Sequence, residues 1–345
     1  MRVLVTGGTG FVGAHVVAAL RAEGYEVRLL ARRPERVADA LEPLGVDTGD
    51  VEVVVGDVTD PQAVARALQG ADALVHAANL YSLDPAHTSS VWRLNVDGTR
   101  LLLHAAVEHG LDPVVYVSSM TALLPGDALT RDAPLGAPRL PYPRSKAVAE
   151  RLAARLQDDG APVVITSPAS VQGPHDPHMG ESAKGVRAML RFPLRVSASG
   201  GFGVVDVRDV ALAHVRLLER PARPGRYLMG GHWLSVDATY DLLETVTGRR
   251  LRRCDVPVGA LLAGGRAADA VARVGPDAGF SHGTAWLIAS FGTFDDADTR
   301  RELGLEWRDP QDTLRDTVAW LHATGHLTHR QAGEAAAYAL APLRR

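Results

Sequence analysis

The sequence predicts an α/β fold, a doubly wound parallel sheet followed by a smaller mixed α/β C-terminal lobe for substrate. Three observations predict it. Short β-branched runs alternate with helical patterns through the first half, a glycine-rich turn follows the first run, and the alternation loosens after Pro168. Strand–helix alternation implies right-handed crossovers on both faces of a parallel sheet. Ligands then bind beyond the carboxyl ends of the strands, so the loops after each strand carry the function.

The expected strands are 2–6, 26–31, 51–55, 72–76, 113–118 and 162–167, where Val, Leu and Ile cluster. Helical spacing covers 11–23, 62–69, 90–109 and 142–157. Beyond Pro168, helices are expected at 207–218, 235–247 and 310–324, with short strands at 204–207 and 226–229. Gly173-Pro174, Ser199-Gly200-Gly201 and Gly264-Gly265 read as turns. No repeat or low-complexity linker interrupts the chain. The expected division is a nucleotide-binding domain over 1–170, with chain returning around 200–230, and an interleaved substrate lobe over 171–325. The Ala-rich stretch within 326–345 is expected as an appended helix or a tail.

Composition narrows the partners. The 345 residues are 46% apolar and 22% charged, with 37 Lys and Arg against 40 Asp and Glu. A net charge of −3 argues against nucleic acid as the main partner. The single cysteine, Cys254, rules out an intramolecular disulfide and fits a reducing cytosol. Neither the N-terminal run nor the apolar stretch over 256–263 approaches the roughly 20 residues that span a bilayer. A cytoplasmic, soluble protein without a membrane partner is expected.

The turn Thr6-Gly7-Gly8-Thr9-Gly10-Phe11-Val12-Gly13 sits between the first strand and the first helix. Glycines there let the backbone approach a pyrophosphate, and the N–H groups near Phe11 and Val12 face it with help from the helix dipole. A G-x-G-x-x-G alone is weak evidence; strand before and helix after make it a Rossmann-type dinucleotide site. At the end of the second strand an acidic residue would bind the ribose 2′-hydroxyl. The chain has Ala31-Arg32-Arg33 instead, and Arg32 and Arg33 suit a 2′-phosphate, so NADP is expected over NAD.

Tyr142 and Lys146 lie one helical turn apart. A tyrosine titrates near 10 in isolation, and a cation beside it favours the tyrosinate. Such a phenol can protonate a carbonyl oxygen during hydride transfer. Ser118 and Ser119, at the end of the fifth strand, offer a hydroxyl to the same oxygen.

Together these features resemble the extended short-chain dehydrogenase/reductases of the NAD-dependent epimerase/dehydratase family. The matching residues run in family order: Thr6-Gly7-x-x-Gly10-x-x-Gly13, Gly56-Asp57-Val58, His76-Ala77-Ala78, Asn95-Val96-x-Gly98-Thr99, Ser118-Ser119, Tyr142-x-x-x-Lys146, Pro168 with Gly173-Pro174, Asp206-Val207-Arg208-Asp209 and Glu302-Leu303-Gly304. The resemblance implies Ser119 and Tyr142 as catalytic hydroxyls and Lys146 as the ribose-holding cation. It implies adenine contacts at Asp57 and Val58, cofactor contacts at Ala77 and Ala78, and nicotinamide contacts over Pro168, Ser170 and Val171. Asn95 matches a helix asparagine read here as structural.

Within the family, Ser119 lacks the following Asp-Glu pair of dehydratases, and Pro168-Ala169-Ser170-Val171 lacks the asparagine of sugar-nucleotide epimerases. Arg187, Arg191 and Arg195 could serve a diphosphate, but their spacing assigns them no partner. The pattern around Val205-Asp206-Val207-Arg208-Asp209 and Arg226-Tyr227-Leu228-Met229-Gly230-Gly231 looks like the dihydroflavonol-4-reductase-like branch. The expected activity is NADP-dependent reduction of an apolar or aromatic ketone or aldehyde. The alternatives are an NAD-dependent nucleotide-sugar 4-epimerase and a non-catalytic NADP-sensing regulator, the latter opposed by the Tyr142–Lys146 pair. His175-Asp176-Pro177-His178 lacks the ligands of a metal site, and none is expected. Cys254 reads as a buried small hydrophobe. Tyr81, Trp92 and Met179 read as core more than pocket. A homodimer is left open.

Overall fold

The computed structural model describes residues 1–192, 194–197, 199–219, 223–272 and 280–340. Its centre is a seven-stranded parallel sheet. The first five strands are β1 (Arg2–Thr6), β2 (Glu26–Ala31), β3 (Val51–Val55), β4 (Ala73–His76) and β5 (Val114–Val117). The sheet runs Gly225–Met229, Val163–Pro168, β5, β4, β1, β2, β3 across its width, every neighbouring pair parallel. The strand order reverses between β1 and β4, and that crevice is where open α/β sheets take their ligands.

Alternation along the strands feeds a core on each face. Val3 and Val5 pack with Val16, Leu20 and Leu29 on the side of α1 (Phe11–Ala22). Leu4 points the other way, with Leu74, Leu102, Leu103 and Tyr116. The helix Val207–Glu219 lies against α1 and covers the same face.

The back half adds smaller sheets. Ser170–Gln172, Gly201–Asp206 and His232–Ser235 form a three-stranded sheet with Gly201–Asp206 in the middle. Gly126–Leu129 pairs in parallel with Phe291–Phe294, and Leu194–Ser197 with Arg252–Asp255. Buried ions tie these pieces together. Asp206 accepts from Arg208, which also meets Asp316 at 2.7 Å, while Asp209 pairs with Arg308. Asp296 accepts from the backbone N–H groups of Gly230 (3.0 Å) and Gly231 (3.1 Å), the Trp307 indole (2.8 Å) and Arg300 (3.2 Å).

Several expectations need correcting. Gly264-Gly265 is not a turn but lies inside the helix Val258–Ala272. A Cβ at Gly265 would stand 2.6 Å from the His282 backbone, so glycine there serves close helix packing. Cys254 is exposed rather than buried, because the strand Arg252–Asp255 has both faces open to solvent. After the Gly173-Pro174 turn the chain turns helical at Glu181–Arg191, a helix the sequence reading did not include, burying Ala183, Val186 and Leu190 at helical spacing. The helix expected over 90–109 is Thr88–Trp92, a π-helical stretch Arg93–Gly98 and Thr99–Glu108. The Ala-rich stretch holds the helix His329–Ala332 and a 3-10 turn to Ala337, with Ala332 and Ala335 buried against Leu314, Val318 and Leu321. Residues 341–345 of that stretch lie outside the described residues. No helix among the described residues is long and apolar enough to cross a membrane.

Asp296→Ala should leave buried donors unpaired and lower unfolding stability by about 3 kcal/mol. Urea denaturation measures this, and a loss under about 1 kcal/mol would show that the carboxylate does not carry the junction it sits in.

Candidate active site

The glycine turn closes at the crevice between β1 and β4. Gly7 takes a φ of 76°, and a Cβ on it would sit 2.6 Å from the Ala77 carbonyl carbon and the Ala78 nitrogen. Gly13, in the first turn of α1, passes so near that a Cβ would lie 2.2 Å from the Gly7 oxygen. Gly10 caps α1 with extended backbone and no side-chain hydrogen bond, and the first turn holds no acidic residue. The N–H groups beside Phe11 and Val12 therefore meet no competing side-chain acceptor from the cap, an arrangement that fits a pyrophosphate. Thr6 completes the wall. Its hydroxyl bonds His76 Nδ1 at 2.7 Å and accepts from Ala78 N at 3.3 Å, while His76 Nε2 meets Thr99 at 2.9 Å. Burial, reinforced by Lys146, pushes His76 down to about 3, so it stays neutral.

At the end of β2, Ala31 is buried and Arg32 swings out, with Nη1 3.7 Å from Asp57 Oδ2. Asp57 Oδ1 accepts from both Thr59 N and Oγ1 at 2.9 Å. Arg33 is exposed beside it. Val58 is buried against Gly98, where a Cβ would come 2.9 Å from the Val58 side chain. Across the crevice, Pro168 ends its strand and Ser170 and Val171 start the next, Ser170 Oγ standing 3.1 Å from Ser182 Oγ.

The hydroxyl site assembles from β5 and the helix Pro141–Asp158. Ser119 starts the 3-10 turn after β5, its Oγ accepting from Thr121 N (3.2 Å) and Oγ1 (3.0 Å). Ser119 stands beside Tyr142, near enough to oppose the burial that holds the phenol well above its ordinary value. Lys146, buried one turn on, donates to the Val117 carbonyl at 2.8 Å. Its Nζ lies 5.2 Å from the Tyr116 ring centre and 5.8 Å from that of Tyr142. Burial lowers Lys146 to about 7, with Glu150 resisting the fall.

Asn95 sits in the π-helical stretch and is tied on three sides. It accepts from Leu80 N at 2.7 Å and donates to Leu80 O and Ser145 Oγ at 3.0 Å. Ser145 in turn donates to the Tyr142 carbonyl at 2.7 Å, so Asn95 braces both the 80s loop and the helix start. Among the weaker candidates, Tyr81 is not core as expected: it is exposed and its ring lies against Tyr142, tilted, with centres 4.2 Å apart. The contact needs the loop after β4 to fold over the helix, which the local sequence does not show. Trp92 meets the Arg144 guanidinium instead, and Met179 packs with the back-half core. Asp176 caps its own loop, accepting from His178 N at 3.1 Å and Gly180 N at 2.7 Å. Arg195 is held by Asp237 (3.0 Å) and Asp241 (2.5 Å), partners forty residues away that spacing alone does not reveal.

Comparison with known proteins decides the family. The model of the NAD dependent epimerase/dehydratase family matches residues 3–230. The chain belongs to this family. Within this extended short-chain dehydrogenase/reductase group, it is 32% identical to a putative dihydroflavonol 4-reductase of Synechocystis over 94% of its own length and 95% of the relative's. It is 30% identical to the sterol demethylase protein B of Methylococcus capsulatus, over 94% and 99%. Among solved structures of the family, MoeE5 in complex with UDP-glucuronic acid and NAD covers 94% of this chain and 100% of its own, at 26% identity and a TM-score of 0.70.

Two outcomes follow. Gly13→Ala forces the α1 start off the Gly7 carbonyl and should weaken binding of a reduced nicotinamide dinucleotide, NADH or NADPH, at least about tenfold in a fluorescence titration. Lys146 releases its proton near 7 when folded and near its ordinary 10.5 when unfolded. Between those values the unfolded chain holds more protons, so this residue's contribution to stability rises with pH. Wild type should gain stability relative to Lys146→Met on going from neutral to mildly alkaline buffer, read as the difference of their melting curves. A constant difference would refute the burial argument.

Proposed function

We propose that this member of the family is an NADP-dependent reductase of ketones or aldehydes with apolar or aromatic substituents. The observation that carries the reading is the buried cluster of Ser119, Tyr142 and Lys146, with Lys146 one helical turn from Tyr142 and held on the Val117 carbonyl two residues before Ser119. When bound, the nicotinamide supplies the hydride. Tyr142 gives the substrate oxygen its proton, and Ser119 holds that oxygen beside the phenol. Lys146 spends one donor on Val117 and keeps the others for the ribose hydroxyls, and its charge favours the tyrosinate left behind. The glycine turn and the open α1 start fit the pyrophosphate, and Arg32, with Arg33 beside it, fits a 2′-phosphate.

The substrate class follows from the surroundings of Tyr142. The Tyr81 ring lies against the phenol, centres 4.2 Å apart, and its loop runs on to Leu83, which packs on Gly283. This wall suits an apolar or aromatic group rather than a sugar. Arg195, a candidate for a diphosphate, is already paired with Asp237 and Asp241. The reductase and sterol-protein relatives support the same reading.

The purified protein should oxidise NADPH faster than NADH across a panel of aromatic, aliphatic and steroidal carbonyls, and Arg32→Ala should erase most of that preference. Tyr142→Phe should reduce turnover at least about a thousandfold while NADPH affinity stays within about twofold. Tightly retained NAD with interconversion of a nucleotide sugar, and no net cofactor consumption, would replace this reading with 4-epimerisation. Cofactor binding without any turnover would point to an NADP-sensing regulator.

A further inference from the structure

Tyr142, Lys146 and Glu150 stand four residues apart on one face of the helix Pro141–Asp158. Each meets a different one of three consecutive residues where β5 ends. Tyr142 stands beside Ser119, Lys146 Nζ donates to the Val117 carbonyl at 2.8 Å, and Ser118 Oγ donates to Glu150 Oε2 at 2.5 Å. Glu150 is wholly buried, and its second oxygen accepts from Arg226 Nε at 2.6 Å. Arg226 lies on the edge strand Gly225–Met229. Its Nη1 also donates to the carbonyls of Arg131 (2.8 Å) and Ala133 (2.7 Å), in the segment that leads into the helix.

A buried ion pair is weak evidence for stability, because apolar side chains of similar volume usually serve as well. What this pair does have is directional, charge-assisted bonds to three separate segments. We propose that Glu150, backed by Arg226, is a positioning residue that fixes the register of the Val117–Ser119 strand end against the helix, so that Ser119 stays beside Tyr142. Sliding the strand end by part of a residue would break the Ser119 contact while leaving the rest of the sheet in place. The same carboxylate favours the cationic form of Lys146. The other groups facing Lys146 are His76 from β4, neutral through burial, and the Tyr116 and Tyr142 rings. Among these groups, Glu150 supplies the negative charge that faces the lysine. The inference rests on the reading of Ser119, Tyr142 and Lys146 above, and its test separates the two.

Ser118→Ala, Glu150→Gln and Tyr142→Phe are compared with wild type for NADPH oxidation with whichever carbonyl of the panel is turned over fastest, across pH, with NADPH affinity and melting temperature measured alongside. Ser118→Ala should fold, bind NADPH within about twofold of wild type, and lose about tenfold in kcat with little change in KM. Glu150→Gln should lose more, and its alkaline limb should move to lower pH because Lys146 has lost the charge that favours its protonated form. Amide exchange reads the device without substrate: protection over 118–121 should fall at least about tenfold in Ser118→Ala while the core of the sheet is unchanged. Variants that fold with wild-type kcat, an unmoved alkaline limb and unchanged exchange would overturn the proposal. Should Glu150→Gln fail to fold, Ser118→Ala decides alone. An active Tyr142→Phe would overturn the site reading instead, whatever Ser118→Ala and Glu150→Gln do. A wild type that turns over no carbonyl would sink both.

Discussion

No side chain fits between the start of α1 and the exit of β4. Gly7 touches the Ala77–Ala78 backbone and Gly13 touches Gly7, so helix and strands meet backbone to backbone. That contact fixes where the helix N-terminus lies relative to the point at which the sheet reverses direction. The crevice for a pyrophosphate, the wall formed by Thr6 and His76, and the distance from that wall to Tyr142 all depend on it. Any larger residue at Gly7 or Gly13 would move the helix and with it the reference frame for the whole site.

The chemistry is then assembled from segments that the chain brings back late. The helix with Tyr142 and Lys146 is pinned to β5 by its own side chains, to the 80s loop through Asn95 and Ser145, and to the edge strand through Glu150 and Arg226. Each link is polar, buried and directional, whereas the two cores behind the sheet are apolar and tolerant. Packing holds the layers together, and the polar links set the angles.

How much of this the sequence reveals depends on how local the cause is. The strands of the central sheet begin and end within a residue or two of their apolar runs, because β-branched clusters between turn residues have little else to form. The glycine turn and the Tyr142–Lys146 spacing are equally local. What escapes is set by distant partners. The parallel pairing of Gly126–Leu129 with Phe291–Phe294 joins segments over 160 residues apart, and neither run is apolar enough to announce a strand. Gly265 reads as a turn until the helix crossing at His282 is seen, and Cys254 as core until its strand proves to be an open ribbon. Glu150 looks like any helical glutamate, since its burial depends on Arg226, 76 residues further along.

The strand Gly225–Met229 belongs in space to the first sheet, yet it arrives after the chain has laid down two strands of the small three-stranded sheet. The seven-stranded sheet is therefore not built from a contiguous stretch of chain. A gene fragment ending near residue 170 would leave Val163–Pro168 as a bare hydrophobic edge, the kind that pairs with other chains. Grafting a new pocket onto this scaffold therefore calls for two junctions rather than one, with the returning strand kept in the host.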